Sequence, residues 1–138
     1  MDRFIMFVGV ALCCAGLPAS AQECLHGSTE RPEQQARRQQ AVRVARVVNT
    51  IEANQPGQSQ QRFLRHEELV TSPYALKQPD SVQPFDFVPG QEVVPGWELT
   101  LNVADNGYWF MVKDKMDPCG FAYISNTKGL IYKAEPIR

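Results

Sequence analysis

The side chains suited to acid–base chemistry at neutral pH are two histidines. His26 lies near the predicted mature N-terminus, and His66 stands beside Glu67 and Glu68 in a charged stretch. We expect both on the surface. A serine nucleophile needs a base within hydrogen-bond reach, and its usual G-x-S-x-G turn does not occur in the sequence. The sequence therefore gives no indication that either histidine serves as the base for a nucleophile.

Three aspartates in turn-forming segments are the other candidates for catalysis: Asp105, Asp114 and Asp117. Two carboxyl groups that flank a glycosidic bond can hydrolyse it. Aspartate is also common in turns, because its short side chain bonds nearby backbone N–H groups. The three residues, with Asn106, do not follow the spacing of a calcium loop, and no glycine-rich phosphate loop occurs. We expect no catalytic, cofactor or metal site; a small secreted hydrolase that uses these carboxylates remains an alternative.

The first 21 residues have the pattern of a secretory signal peptide. Arg3 precedes an apolar run, Phe4 to Leu17, which ends in the small residues Ala19-Ser20-Ala21. The run is shorter than the roughly 20 apolar residues that span a bilayer. Residues 1–21 are therefore predicted to be cleaved, which leaves one domain, 22–138, in the periplasm or secreted. The alternative is an uncleaved N-terminal membrane anchor.

Cleavage would leave two cysteines, Cys24 and Cys119. In an oxidising compartment such a pair predicts a disulfide. It would close nearly the whole domain, which the chain-entropy model values at about 4 to 5 kcal/mol. A small domain with one core benefits from such a covalent constraint. Two free buried thiols are the alternative, whereas a zinc site would need more ligands than the two histidines at suitable spacing.

The distribution of charge is uneven although the net charge is only −1. Near neutrality does not favour a nucleic-acid partner. The segment from Glu30 to Arg65, however, contains seven arginines and only three glutamates. This basic segment, with Arg37 and Arg38, is either an ordinary solvated face or a contact surface for an anionic partner.

One long amphipathic helix is predicted from Glu33 to Asn54. Its apolar residues recur at spacings of three and four: Ala41, Val44, Ala45, Val48 and Ile51. A short second helix is expected around Ser59 to Val70. Five prolines between Thr71 and Gly96 exclude a long helix or a central strand there, although an edge strand near Phe85 to Val88 is compatible with them.

The C-terminal part predicts four antiparallel strands. "WELTLNV" alternates apolar and polar residues, and Asp105-Asn106-Gly107 is a strong hairpin signal. The strands "YWFMVK", "CGFAYIS" and "LIYKA" follow it. We therefore expect an α+β fold, with the helix laid across one face of a four-stranded meander.

Aromatic side chains alternate along the predicted strands. If Trp109 and Tyr123 are exposed together, they form a contact patch for a protein or glycan. The alternative is that the proline-rich connection covers the outer face of the sheet. Together with Arg37 and Arg38, these two aromatics are the predicted contact residues.

A helix ending "ARVVNTIEAN" and a meander with "GYWFMVKDKMDPCGFAYIS" and "KGLIYKAEPI" resemble the globular part of type IV pilin-like and pseudopilin-like proteins. The resemblance covers about Arg37–Asn54 and Trp97–Ile137. It implies a helix on a four-stranded sheet, with a cysteine pair that secures the C-terminal region. The apolar leader ends in Ala-Ser-Ala and lacks the pilin N-terminal motif, so the resemblance extends only to the headgroup.

The resulting hypothesis is an exported, non-enzymatic domain that acts by contact with another exported or cell-envelope protein. A membrane-anchored pilus or type II secretion component is the alternative if the N-terminal segment stays uncleaved.

Overall fold

The computed structural model describes residues 24–27, 30–54, 62–73 and 85–136. The predicted signal peptide, residues 1–21, and residues 74–84 of the proline-rich connection lie outside these ranges. Within them, no helix is both long enough and apolar enough to cross a membrane.

The long helix, α1, runs from Pro32 to Ala53. Proline is tolerated in the first turn because its missing N–H has no partner inside the helix there. At the start, the Gln34 side chain accepts a hydrogen bond of 2.8 Å from the Arg31 N–H. The predicted apolar stripe is fully buried, since Ala41, Val44, Ala45, Val48 and Ile51 each have 0% exposure.

Five antiparallel strands form one sheet in the order β1-β2-β3-β4-β5. Their bounds are Glu92–Val94, Trp97–Ala104, Gly107–Asp114, Ala122–Asn126 and Tyr132–Ala134. The expectation of four strands is corrected by β1, which lies in the proline-rich segment. A turn at Pro95-Gly96 lets Val94 pair with Trp97. As an edge strand, β1 has a neighbour on one side only and so tolerates nearby prolines.

Other predicted bounds also differ from the structure. Residues 85–88 are not a strand. The Asp86 N–H does donate to the Val93 carbonyl at 3.0 Å, but the Val88 N–H donates to the Asp86 side chain, at 3.1 Å, rather than to a neighbouring strand. The strand expected from Cys119 begins at Ala122, and the last strand begins at Tyr132. The second helix, α2, is only His66–Leu69, while residues 59–61 of its predicted range lie outside the described residues.

The core lies between α1 and the inner face of the sheet. Alternation along the strands turns Trp97 and Leu99 of β2 and Phe110 and Val112 of β3 inward, where each is at most 3% exposed. Helix α1 packs mainly on β4, with further contacts to β1 and β3. The fold is therefore α+β, a helix on one face of an antiparallel sheet, as predicted.

Candidate functional surface

The two predicted disulfide partners are joined in the structure. Cys24 and Cys119 lie 95 residues apart in sequence, with their Cα atoms 5.4 Å apart. The bond fastens the segment before α1 to the loop before β4, which confirms the predicted pairing. Such a bond is typical of proteins from oxidising compartments.

His26 does not have the surface position expected from the sequence. Its Nδ1 atom lies 2.5 Å from Asp117 Oδ2, and its side chain is only 10% exposed. Its ring centroid is 5.0 Å from that of Phe121. Burial by itself would raise the pKa of Asp117, but hydrogen bonds from His26 and from the backbone of Cys119 and Leu25 outweigh it and lower that pKa.

The predicted contact residues Arg37 and Arg38 both form ion pairs at the boundary between helix and sheet. Arg37 pairs with Asp114, which is 3% exposed, and its guanidinium lies 5.5 Å from the Trp97 ring centroid. Arg38 pairs with Glu30 and lies 5.3 Å from the Phe121 ring centroid. At these two positions the guanidinium groups are therefore paired with acidic residues of the same chain. Long arginine side chains fold back over aromatic rings, where cation–π attraction and packing hold them.

The three candidate catalytic aspartates do not converge in one cleft. Asp105 is exposed in the β2–β3 hairpin, whereas Asp114 lies at the opposite end of β3. An eight-residue strand spans roughly 25 Å, which separates the two carboxyl groups. Asp114 accepts hydrogen bonds from the N–H groups of Met116 and Asp117, at 2.8 and 3.2 Å. Asp114 and Asp117 are thus held by Arg37, His26 and backbone groups.

Trp109 and Tyr123 lie on opposite faces of the sheet. Trp109 is 47% exposed, and Tyr123 is only 5% exposed. Tyr123 pairs in register with the inward-facing Val112, while Trp109 pairs with Asn126. The condition for a joint contact patch, that Trp109 and Tyr123 be exposed together, is therefore not met. The sequence showed the alternation within each strand but not the register that sets which aromatics share a face.

A different group of apolar side chains occupies the outer face. Met111, Ile124 and Tyr132 are paired in register across β3, β4 and β5, and Trp109 lies two residues from Met111 on the same side of β3. Tyr132 is 51% exposed. Polar residues flank the group, among them Thr100, Asn102 and Asn126. We call Trp109, Met111, Ile124 and Tyr132 the outer-face surface.

Three of its members, Met111, Ile124 and Tyr132, are not among the contact residues predicted from the sequence. The alternation of side chains along a strand indicated which face Met111 and Ile124 occupy. Met111 follows Trp109 by two residues and shares its face, whereas Ile124 is adjacent to Tyr123 and faces the opposite way. What the sequence lacked was the pairing of Met111 with Ile124 across two strands.

A buried polar group lies near the C-terminal end of α1. Glu52 is 5% exposed, and its Oε2 accepts a hydrogen bond of 3.0 Å from the Leu64 N–H. Burial raises the pKa of Glu52 to about 7; the Leu64 N–H opposes this shift and the charge of Glu68 adds to it. Burial and the charge of Glu52 raise the pKa of Tyr108 to about 12.

The second predicted surface histidine, His66, is partly buried near this region, and burial lowers its pKa. An open cleft of about 310 Å³ lies between residues 62–65 and the β2–β3 hairpin. Arg62, Arg65 and Asp105 line it, so its charge is mixed. It offers no single charge sign that would select a ligand.

Comparison of the chain with protein-family models, curated proteins and solved structures finds no match.

Proposed function

We propose that this protein is a small exported, non-enzymatic domain with a pilin-headgroup-like helix-on-sheet architecture. It acts by contact of its outer-face surface with another exported or cell-envelope protein. The observation that carries the proposal is the asymmetry of the sheet. Its inner face is filled by α1, whereas its outer face presents Trp109 at 47% and Tyr132 at 51% exposure.

Side chains of this kind are suited to protein recognition. Tryptophan and tyrosine supply large contact areas and are enriched among the residues that dominate binding energy at interfaces. A polar border, here with Thr100, Asn102 and Asn126, is the usual surrounding of such a centre. The non-enzymatic assignment is supported by Asp114 and Asp117, which are bound to partners within the fold.

Export is supported by the signal-like N-terminus and by the Cys24–Cys119 disulfide. We expect the intact mass of the protein from an exporting cell to correspond to residues 22–138. Alkylation of two thiols should occur only after reduction. A mass that retains Phe4 to Leu17 would support the membrane-anchored alternative instead.

Site-specific photo-crosslinking in the exporting cell tests the contact surface. A photoreactive phenylalanine analogue is placed at Trp109 or Tyr132, and, as a matched control, at Met116. Met116 is 59% exposed but lies in the loop after β3, away from the outer-face surface.

We expect the same discrete adduct from positions 109 and 132 and none from position 116. Trp109→Ser should abolish the adduct formed from position 132. Adducts of equal yield from all three positions, or none from 109 and 132, would overturn the proposal.

A further inference from the structure

Two side chains that can bind a metal ion, His26 and Asp117, lie beside the disulfide. Donor atoms of Cys24, His26 and Asp117 all lie within 4.8 Å of one another. The sulfur of Cys119 is bonded to that of Cys24. Thiolate, imidazole and carboxylate are the three ligand types that zinc uses in proteins.

Two short segments supply these four donors. Cys24 and His26 are two residues apart, and so are Asp117 and Cys119. In the oxidised protein Cys24 is held in the disulfide and cannot act as a thiolate ligand. We propose that reduction of the disulfide converts this cluster into a tetrahedral site for one zinc ion, with ligands Cys24, Cys119, His26 and Asp117.

The positions of the donors suit this change. With zinc–sulfur bonds of about 2.3 Å, tetrahedral geometry places the two sulfurs about 3.8 Å apart, so they must separate by side-chain rotation. The backbone Cα separation of 5.4 Å allows them to remain on the same ion. Asp117 is already oriented, because its Oδ1 accepts a hydrogen bond of 2.8 Å from the Cys119 N–H.

The chemistry balances with a dithiol as reductant. The dithiol gives two electrons and two protons to the Cys24–Cys119 bond and is itself oxidised to a disulfide. Zinc then displaces the two thiol protons to water. Zinc also replaces the hydrogen bond between His26 Nδ1 and Asp117 Oδ2, and His26 binds it as a neutral imidazole that keeps its one proton on Nε2. The metal would hold the N-terminal segment to the sheet after the covalent bond is lost.

Cobalt(II) titration tests the site, since tetrahedral cobalt–thiolate centres have visible bands and sulfur-to-metal charge transfer. The full chain is used with Cys13→Ser and Cys14→Ser, so that only Cys24 and Cys119 can supply thiolates. One sample remains oxidised; the other is reduced with a dithiol, which is removed under argon before cobalt(II) is added. We expect one cobalt per reduced chain, displaced by one equivalent of zinc, and no such spectrum from the oxidised chain.

Matched variants separate a built site from a pair of thiols. His26→Gln and Asp117→Asn should each weaken zinc binding at least tenfold, whereas His66→Gln should leave it unchanged. Equal binding by oxidised and reduced protein, or full affinity in both ligand variants, would contradict the proposal. Far-UV circular dichroism and thermal melting accompany each titration. A reduced chain that stays unfolded with equimolar zinc would also overturn it.

Discussion

Arg37 on α1 and Asp114 at the end of β3 form an ion pair, with Nη2 and Oδ2 2.5 Å apart. The pair joins residues 77 positions apart and places the guanidinium over Trp97. Asp114 is 3% exposed, so its charge is almost removed from water. The carboxylate also accepts hydrogen bonds from the N–H groups of Met116 and Asp117. One arginine thus connects the helix, the end of β3 and the loop that leads to the disulfide.

Arg37→Ala should lower the free energy of unfolding by about 3 kcal/mol, because it leaves a buried carboxylate without its cationic partner. Arg37→Lys keeps the charge but loses the planar contact with Trp97, and should cost less. Urea denaturation of both variants measures the difference. If the alanine variant unfolds within about 0.5 kcal/mol of the unmodified protein, the pair has no structural importance.

Reduction of Cys24–Cys119 in metal-free buffer should destabilise the domain by about 4 to 5 kcal/mol, since it frees a loop of nearly 100 residues in the unfolded chain. The paired replacement Cys24→Ser with Cys119→Ser should have a similar effect. Denaturation midpoints with and without reductant measure it. Identical midpoints would show that the apolar core alone holds the fold.

Gly96→Ala should be more destabilising than Gly90→Ala. Both glycines have positive φ, 80° and 78°, so alanine is strained at either position. At Gly96 an added Cβ would also overlap the Arg37 guanidinium and lie 2.9 Å from Met116 Sδ. At Gly90 no heavy atom of the described residues lies within 4 Å of it. Thermal melting should therefore show a further loss of about 1 to 2 kcal/mol at Gly96; equal losses would mean that Arg37 moves away freely.

Because of Glu52, the free energy of unfolding should fall as pH rises between about 4.5 and 7. Burial raises its pKa to about 7 in the folded protein, from an ordinary value of 4.5. The folded state therefore binds more protons than the unfolded state in this interval, and the contribution is present in full only below the unfolded pKa.

Glu52→Gln removes this titration and should stabilise the protein at pH 8 by on the order of 2 kcal/mol relative to the unmodified chain. Other carboxylates, such as Asp117 with its lowered pKa, act in the opposite sense. The test is thus the difference between the two proteins across pH, measured by urea denaturation. A constant difference from pH 4 to pH 8 would contradict it.

Substitution on the two faces of β3 should have very different effects. Phe110 has 0% exposure, and Phe110→Ala should cost about 3 to 5 kcal/mol through the cavity it leaves. Trp109→Ser, on the outer-face surface, should change stability by less than about 1 kcal/mol. Chemical denaturation measures both. A large loss at Trp109 would mean that this side chain serves the fold rather than contact.

Several elements could be predicted from sequence because their causes are local. The spacing of valines and alanines in α1, the Asp-Asn-Gly hairpin and the alternation along β2 and β3 each depend on neighbours in the chain. The Cys24–Cys119 pairing followed because the predicted cleavage removes Cys13 and Cys14 and leaves two cysteines in a chain predicted to be exported. These patterns were sufficient for a helix on an antiparallel sheet.

The site residues depended on relations between distant segments. Tyr123 and Trp109 both alternate correctly, but only strand register places one in the core and the other on the outer face. Strand β1 was not predicted, because a strand of three residues next to a proline shows almost no alternation of apolar and polar residues.

By itself, then, the sequence determined the periodic elements, the fold class and the cysteine pairing, since hydrophobic spacing and residue counts encode them directly. Tertiary structure alone decided that Arg37 and Arg38 pack over aromatic rings, that His26 meets Asp117, and that Met111, Ile124 and Tyr132 align. These contacts join residues far apart in the chain, and their distances are set by how α1 and five strands pack together, which no local pattern specifies.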